Sequence, residues 1–437
     1  MTEAIIADLS RIKALRVISR TSAMQYKSTT LSLPEIAREL NVDAVLEGSA
    51  LLVGNRLRLS VQLVTARTDT TLWADRFDRE LKDVLDLQSE LSATVAQEIA
   101  IQLSPDEVTQ LGRRGAVNPE AHLEYMRALH SIHEGTRDAL EMGMRAARRA
   151  LDLDPQYAPA LAALAQGYVL GAVRGAFPPA QAIAEGTAAA NRALELDPKL
   201  DEAHTALAII RIHSGDLRGG ILSFERAIAI NPGNAMAHNV LARALYSFER
   251  HDEALAAANR SVQLDPLSTM IRTAVGDAYY FAREYEKSVF HYRMSIELDP
   301  RFDGGHTDLA RTLEMLGRFD EARAAYEEGL RLSGGVAGPS FGLAHLEAAA
   351  GNEVEARRIL AELKAARSKR VVSAWGIGAV HASLGDIDEA FSWMETAITE
   401  KASGLILLRV HPRLDPIRND PRYWPMVERV GLGTADG

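Results

Sequence analysis

The stretch "INPGNAMAHNVLARALYSFERHDEALAAANRSVQLDP", residues 230–266, decides the fold. Its two prolines, Pro232 and Pro266, stand 34 residues apart. The interval recurs around it: "LDLDP" ends at Pro155, "LELDP" at Pro198 and "IELDP" at Pro300, so that the last three of four intervals are 34 and the first is 43. A further step reaches Gly334, again a residue that ends helices. A fixed period of this length is the mark of stacked, self-similar units.

Small residues keep the same beat. With the proline at position 32, position 8 holds Ala208, Ala242, Gly276, Ala310, Ala344 and Gly378. Position 20 holds Gly220, Ala254, Ser288, Ala322, Ala356 and Ala390, and position 27 holds Ala227, Ser261, Ser295, Gly329 and Ala397, with Leu363 the exception. Three small positions per unit let two antiparallel helices and the next unit's first helix approach closely. Gly215, Gly317, Gly351 and Gly385 fall at position 15, where a tight turn needs a permissive backbone.

This pattern resembles the tetratricopeptide repeat (TPR), a helix–turn–helix unit with a proline after its second helix. Eight units are expected: 124–157, 158–200, 201–234, 235–268, 269–302, 303–336, 337–370 and 371–404. The second carries nine extra residues, placed around "GAVRGAFPPA" as a longer inter-helix turn. The resemblance implies a mainly α, right-handed superhelical array over 124–404. Residues 104–123 read as a linker, and residues 405–437, with four prolines early on, as a C-terminal cap and tail.

Upstream the period changes. "RLRLSVQLV", residues 56–64, puts Leu57, Leu59, Val61 and Leu63 on one face, a half-buried strand. It follows "DAVLEGSALLV" across Gly54-Asn55, which predicts a β-hairpin. Helices are predicted over 1–13, 33–40 and up to about 103, with strands at 15–20 and 71–77. Residues 1–103 thus form a small α/β domain that resembles the TolB-like amino-terminal domain, most specifically in "VDAVLEGS" and "LWADRFDRE". That likeness implies an opening strand upstream of "MTEAIIADL", so the sheet is expected to lack it and to self-associate through the unpaired edge. It also implies kinship with bacterial signalling proteins that carry, upstream, a class III cyclase domain or a winged-helix DNA-binding domain.

Composition narrows the function. The chain of 437 residues has a net charge of −10, which argues against nucleic-acid or anionic-membrane partners, and no cysteine, which excludes thiolate chemistry. Without a signal peptide or a membrane-spanning run, a cytoplasmic location is expected. No cofactor or metal motif is found. His130 and His133 read as a solvated helix face, and His204, His238 and His306, all at position 4, as packing residues. The glycine-rich "SGGVAGPSFG" (333–342) lacks the lysine of a phosphate loop. No catalytic constellation emerges, and the chain is expected not to be an enzyme.

Function is expected where first helices line the concave face of a TPR array. Positions 5, 9 and 12 supply Asn239, Arg243, Tyr246, Thr273, Asp277, Tyr280, Thr307, Arg311, Glu314, His345 and Trp375 as candidate contacts for a protein or peptide partner. The lysine and asparagine clamp of chaperone-tail TPR domains is absent, since position 5 holds Thr205, Asn239, Thr273 and Thr307. The leading expectation is a non-catalytic scaffold. The alternatives are an adenylate cyclase-related protein without its catalytic domain, or a transcriptional regulator without its DNA-binding domain.

Overall fold

The computed structural model describes residues 2–27, 29–66, 68–80, 83–99, 118–134, 137–173, 177, 179–334, 337–368 and 372–433. The chain divides into two compact units, one of Met1–Ile210, Leu222–Ala237 and Gln263–Pro266, the other of Arg211–Ile221, His238–Val262 and Leu267–Gly437.

The first unit begins with α1 (Thr2–Ser10), α2 (Arg20–Ala23) and α3 (Leu33–Leu40), then β1 (Ala44–Val53), β2 (Arg56–Thr65), β3 (Thr70–Glu80) and α4 (Val84–Glu98). The strands form one antiparallel sheet in the order β1-β2-β3, with Val53 opposite Arg56 across the Gly54-Asn55 turn. Leu57, Leu59, Val61 and Leu63 on β2 are buried, joining Ile5, Leu9 and Ile12 and the α4 residues Leu87, Leu91 and Val95 in one core. Helices thus cover one sheet face, as the strict alternation of β2 requires. Gly48 in β1 has no room for a side chain, because a Cβ would lie 2.5 Å from the Ser60 carbonyl oxygen.

The strand expected at 15–20 is not formed. Ser19 instead caps α2, its hydroxyl accepting from Ser22 N–H, while its own N–H donates to the Leu264 carbonyl at 2.8 Å. The amide that a strand would offer to a sheet is spent on an inter-repeat turn. α4 ends at Glu98 with Ile99 as its C-cap; residues 100–103 of the expected helix lie outside the described residues, as do residues 104–117 of the linker.

Among the described residues from 119 to 399, sixteen helices follow in eight consecutive pairs, the repeats. The first helix of repeat one begins at Pro119, where Asn118 accepts from the Glu120 N–H at 2.9 Å as an N-cap. Repeat two has helices Ala158–Val173 and Pro179–Leu196, of 16 and 18 residues, so its extra residues lengthen both helices rather than the turn alone. In the second unit the first helices of repeats five to eight are Thr269–Phe281, Asp303–Met315, Ala337–Ala349 and Ala374–Ser383. Their partners are Tyr285–Leu298, Phe319–Leu332, Glu353–Ala366 and Ile387–Thr399. Positions 8, 20 and 27 are buried throughout, from Ala208 to Ala397. Two of the three position-4 histidines brace the preceding turn: His204 Nε2 lies 3.0 Å from the Pro198 carbonyl and His306 Nε2 2.9 Å from that of Pro300.

The α/β domain is tied to repeat turns within the first unit. Arg11 donates to Asp201 at 3.0 Å, and Asp201 also accepts from the amides of Asn231 (2.9 Å) and Asn234 (3.3 Å). Ser22 Oγ donates to Asp265 at 2.5 Å, and the Gly233 N–H to the Ser10 carbonyl at 3.2 Å.

Candidate functional site: the first-helix face of the second unit

In an inter-helix turn, position 15 takes a left-handed backbone. Gly215, Gly317, Gly351 and Gly385 adopt it with φ of 94°, 71°, 82° and 78°. In repeats four and five the same position is Glu249 (φ 62°) and Arg283 (φ 65°). A side chain there costs ~1–2 kcal/mol against glycine. Both side chains hold residues of the C-terminal segment. Glu249 receives the Arg409 guanidinium at 2.8 and 3.0 Å, and Arg283 makes a bidentate pair with Asp415 at 2.6 and 2.8 Å.

Around these anchors residues 403–418 run as two short 3-10 turns, Ser403–Leu407 and Pro412–Ile417, over the first helices. His411 is buried beside Trp375 (ring centroids 4.8 Å apart), Phe281 (5.8 Å) and Tyr280 (5.9 Å). Burial first, then the nearby Arg413 and Arg311, hold its pKa well below the usual imidazole range, so the ring is neutral at pH 7. Farther on, Tyr423–Arg429 lies against the last repeat, where Arg429 pairs with Glu395 at 2.7 Å and Arg422 sits 4.2 Å from the Phe391 ring.

The charged centre of the face is Glu314, whose side chain is 0% exposed. It accepts from Arg413 Nη2 at 2.8 Å, from Tyr326 Oη at 3.1 Å and from His345 Nδ1. Burial would raise its pKa, but Arg413 foremost outweighs burial and holds it at about 2. His345 lies below its ordinary value, through burial first, against the pull of Glu314. It is therefore a neutral donor, and Arg413 is the cation that balances the carboxylate.

A second centre one repeat earlier has the same build. Tyr292 Oη donates to Asp277 at 2.6 Å and accepts from Arg311 at 2.8 Å. Arg311 also lies 4.6 Å over the Tyr280 ring. Tyr292 and Tyr326 occupy equivalent repeat positions, 34 residues apart. The guanidinium on Tyr292 comes from position 9 of the following repeat, Arg311. The guanidinium on Tyr326 cannot, because position 9 is then His345, and Arg413 supplies it.

The expected contacts thus fall into groups. Tyr246 stacks on Phe281 (4.5 Å) inside the face; Tyr280, Glu314, His345 and Trp375 meet residues of 404–413; Asp277 and Arg311 pair with each other. Arg243 is exposed and Asn239 half-buried. Thr273 and Thr307 turn their hydroxyls back to the carbonyls of Met270 and Asp303. Sequence reasoning read residues 405–437 as a cap and tail and missed that residues 403–418 reach back to Glu249, Arg283 and Glu314; the signal was the loss of glycine at position 15 in two adjacent repeats. Among the described residues no group of three metal-ligating side chains is found, and no helix is long and apolar enough to cross a membrane.

Comparisons with known proteins place these features. Residues 205–269 and 307–341 match tetratricopeptide repeat families, and residues 1–94 match the second domain of HilA/YgeH-like transcriptional regulators. The latter covers the stretch whose sequence resembles a TolB-like domain. A Rhizobium meliloti (strain 1021) protein named "Putative adenylate cyclase 3" is 36% identical over 164 residues, 38% of this chain and 28% of that protein's length. Among solved structures, a tetratricopeptide repeat protein from Parabacteroides merdae covers 63% of this chain and all of its own, at 14% identity and a TM-score of 0.45. PilF of Pseudomonas aeruginosa covers 49% of this chain and 93% of its own, at 20% identity and a TM-score of 0.39. The chain carries TPR repeats, a fold that is generally non-catalytic and serves as a scaffold for protein interaction.

Proposed function

We propose that this chain is a cytoplasmic, non-catalytic adaptor of bacterial regulation that captures a peptide segment of a partner protein on the first-helix face of repeats four to eight. The observation that carries this reading is the face itself. Aromatic rings (Tyr246, Phe281, Tyr280, Trp375) alternate with charged centres (Asp277–Arg311, Glu314) along consecutive first helices, and an irregular peptide segment is seated on them. Rings supply contact area at low entropy cost, and buried charges supply register. Net charge speaks for a protein rather than a nucleic-acid partner.

The test is capture by the full-length chain from a lysate of its own organism, compared with Asn239→Ala/Arg243→Ala. A specific partner that is lost in the variant supports the reading; capture of the same proteins by both overturns it. The named relative motivates a second assay. Cyclic AMP made by the pure chain from ATP and manganese overturns the non-catalytic assignment. The match of residues 1–94 to a transcriptional-regulator domain favours gene control as the setting of the interaction.

A further inference from the structure

We infer that residues 407–418 are an internal competitor for the partner site, and that the partner is a peptide presenting an arginine to Glu314–Tyr326 and, two residues later, a carboxylate to Arg283. The inference rests on the reading of this face as a partner surface and adds to it the chemistry of the ligand and its regulation.

Two independent observations carry it. The first is the receptor built around Glu314. Within the array, the Asp277–Tyr292 centre is completed by an arginine of the next repeat, whereas the Glu314–Tyr326 centre holds a neutral histidine there and needs a guanidinium from outside the repeats. A fully buried carboxylate without a cation is unfavourable, so this centre selects for arginine in whatever segment covers it. The second is the backbone at position 15. Glu249 and Arg283 retain left-handed φ where four other repeats use glycine, and these are the two turns that grip Arg409 and Asp415. Local strain kept at two positions that share one binding role points to recognition rather than folding.

The segment is also an imperfect occupant. Tyr280 Oη and Trp375 Nε1 are buried against it and make no hydrogen bond within the described residues. Buried donors left unpaired are expensive, so a peptide offering acceptors at these points displaces the segment. Its two end anchors, Arg409–Glu249 and Arg283–Asp415, are partly exposed ion pairs of low individual strength, which suits a reversible latch.

The experiment uses a fluorescent synthetic peptide of residues 405–420 and full-length chains. In Arg413→Glu and, separately, Asp415→Lys, the internal segment is repelled while the array face is unchanged. Anisotropy is expected to show saturable peptide binding to both variants and at least tenfold weaker binding to the wild-type chain. A peptide carrying the Arg413→Ala change is expected to lose tenfold or more. Arg283→Gly, which relieves the left-handed strain and so preserves the fold, is expected to weaken peptide binding when combined with Arg413→Glu. Failure of the peptide to bind variants that circular dichroism shows to be folded overturns the inference, and so does equal binding of the Arg413→Ala peptide. A concentration-dependent dimer of the wild-type chain that exchanges its C-terminal segment also overturns it, since the occupant is then a second copy. If Asn239→Ala/Arg243→Ala abolishes partner capture while these peptide results fail, only the present inference falls.

Discussion

Replacing Arg413 by alanine tests the energetic centre of the face. Glu314 is fully buried, and its pKa lies at about 2 instead of 4.5, which corresponds to ~3 kcal/mol in favour of the ionised carboxylate. Tyr326 and His345 still donate after the change, and burial disfavours a charge on His345, so Arg413→Ala is expected to weaken docking of residues 405–418 by up to ~3 kcal/mol, about a hundredfold in the open population. The assay is amide hydrogen exchange across 405–418, read as a double-mutant cycle with Glu314→Gln. A coupling of ~2–3 kcal/mol is expected between the two positions. A coupling below ~0.5 kcal/mol refutes the reasoning, because it means that the carboxylate finds its compensation elsewhere. The pH dependence has a fixed sign. A depressed carboxyl pKa stabilises the docked state above 4.5, and that stability is lost as pH falls from 4.5 to about 2. His345, lowered by burial, acts in the same direction: it is neutral when docked and takes up a proton on opening, so release is favoured further as pH drops below 6.5.

Other perturbations follow from the geometry. Glu249→Gly removes the Arg409 anchor and a left-handed side chain together, so thermal stability is expected to hold or rise by up to ~1 kcal/mol while exchange at 405–418 quickens several-fold. Gly342→Ala places a methyl 2.1 Å from Tyr326 Cε1 and is expected to cost ~1–3 kcal/mol in denaturant unfolding, with weaker peptide-site integrity as well. Arg11→Ala leaves Asp201, 1% exposed, with two amides and no cation, and a loss of about 2 kcal/mol is expected in the unfolding of the first unit. Ser22→Ala removes a donor from buried Asp265 and is expected to cost ~1–2 kcal/mol by the same measurement.

What the sequence reveals here is whatever repeats. The helix pairs were legible because positions 8, 20 and 27 stay small in almost every unit, Leu363 apart, and the turns because position 15 takes a left-handed backbone. The hairpin was legible because β2 alternates strictly and Gly54 turns with φ 58°. Residues 15–20 misled because Val17 and Ile18 have strand-like composition, yet Val17 packs on the domain core, Ile18 is buried and Ser19 gives its amide to Leu264. The contacts of the C-terminal segment stayed hidden for a different reason. Its partners lie 99, 132 and 160 residues away in sequence, and such contacts leave no periodic trace. Only the departures from the period, Glu249 and Arg283 in place of glycine, marked where it would land.

The links between the α/β domain and the repeat turns set a gauge on the array. Arg11 fixes the start of repeat three at Asp201, and twelve residues of chain bring Ser19 and Ser22 to the end of repeat four at Leu264 and Asp265. TPR arrays lengthen and shorten by whole units over evolution, since each unit contacts only its neighbours. Between these two pegs that freedom is gone: inserting or deleting one repeat would pull one peg out of its hole while the other stayed seated. The repeat positions Asp201, Gly233, Leu264 and Asp265 are therefore held by the α/β domain at a fixed spacing along the chain.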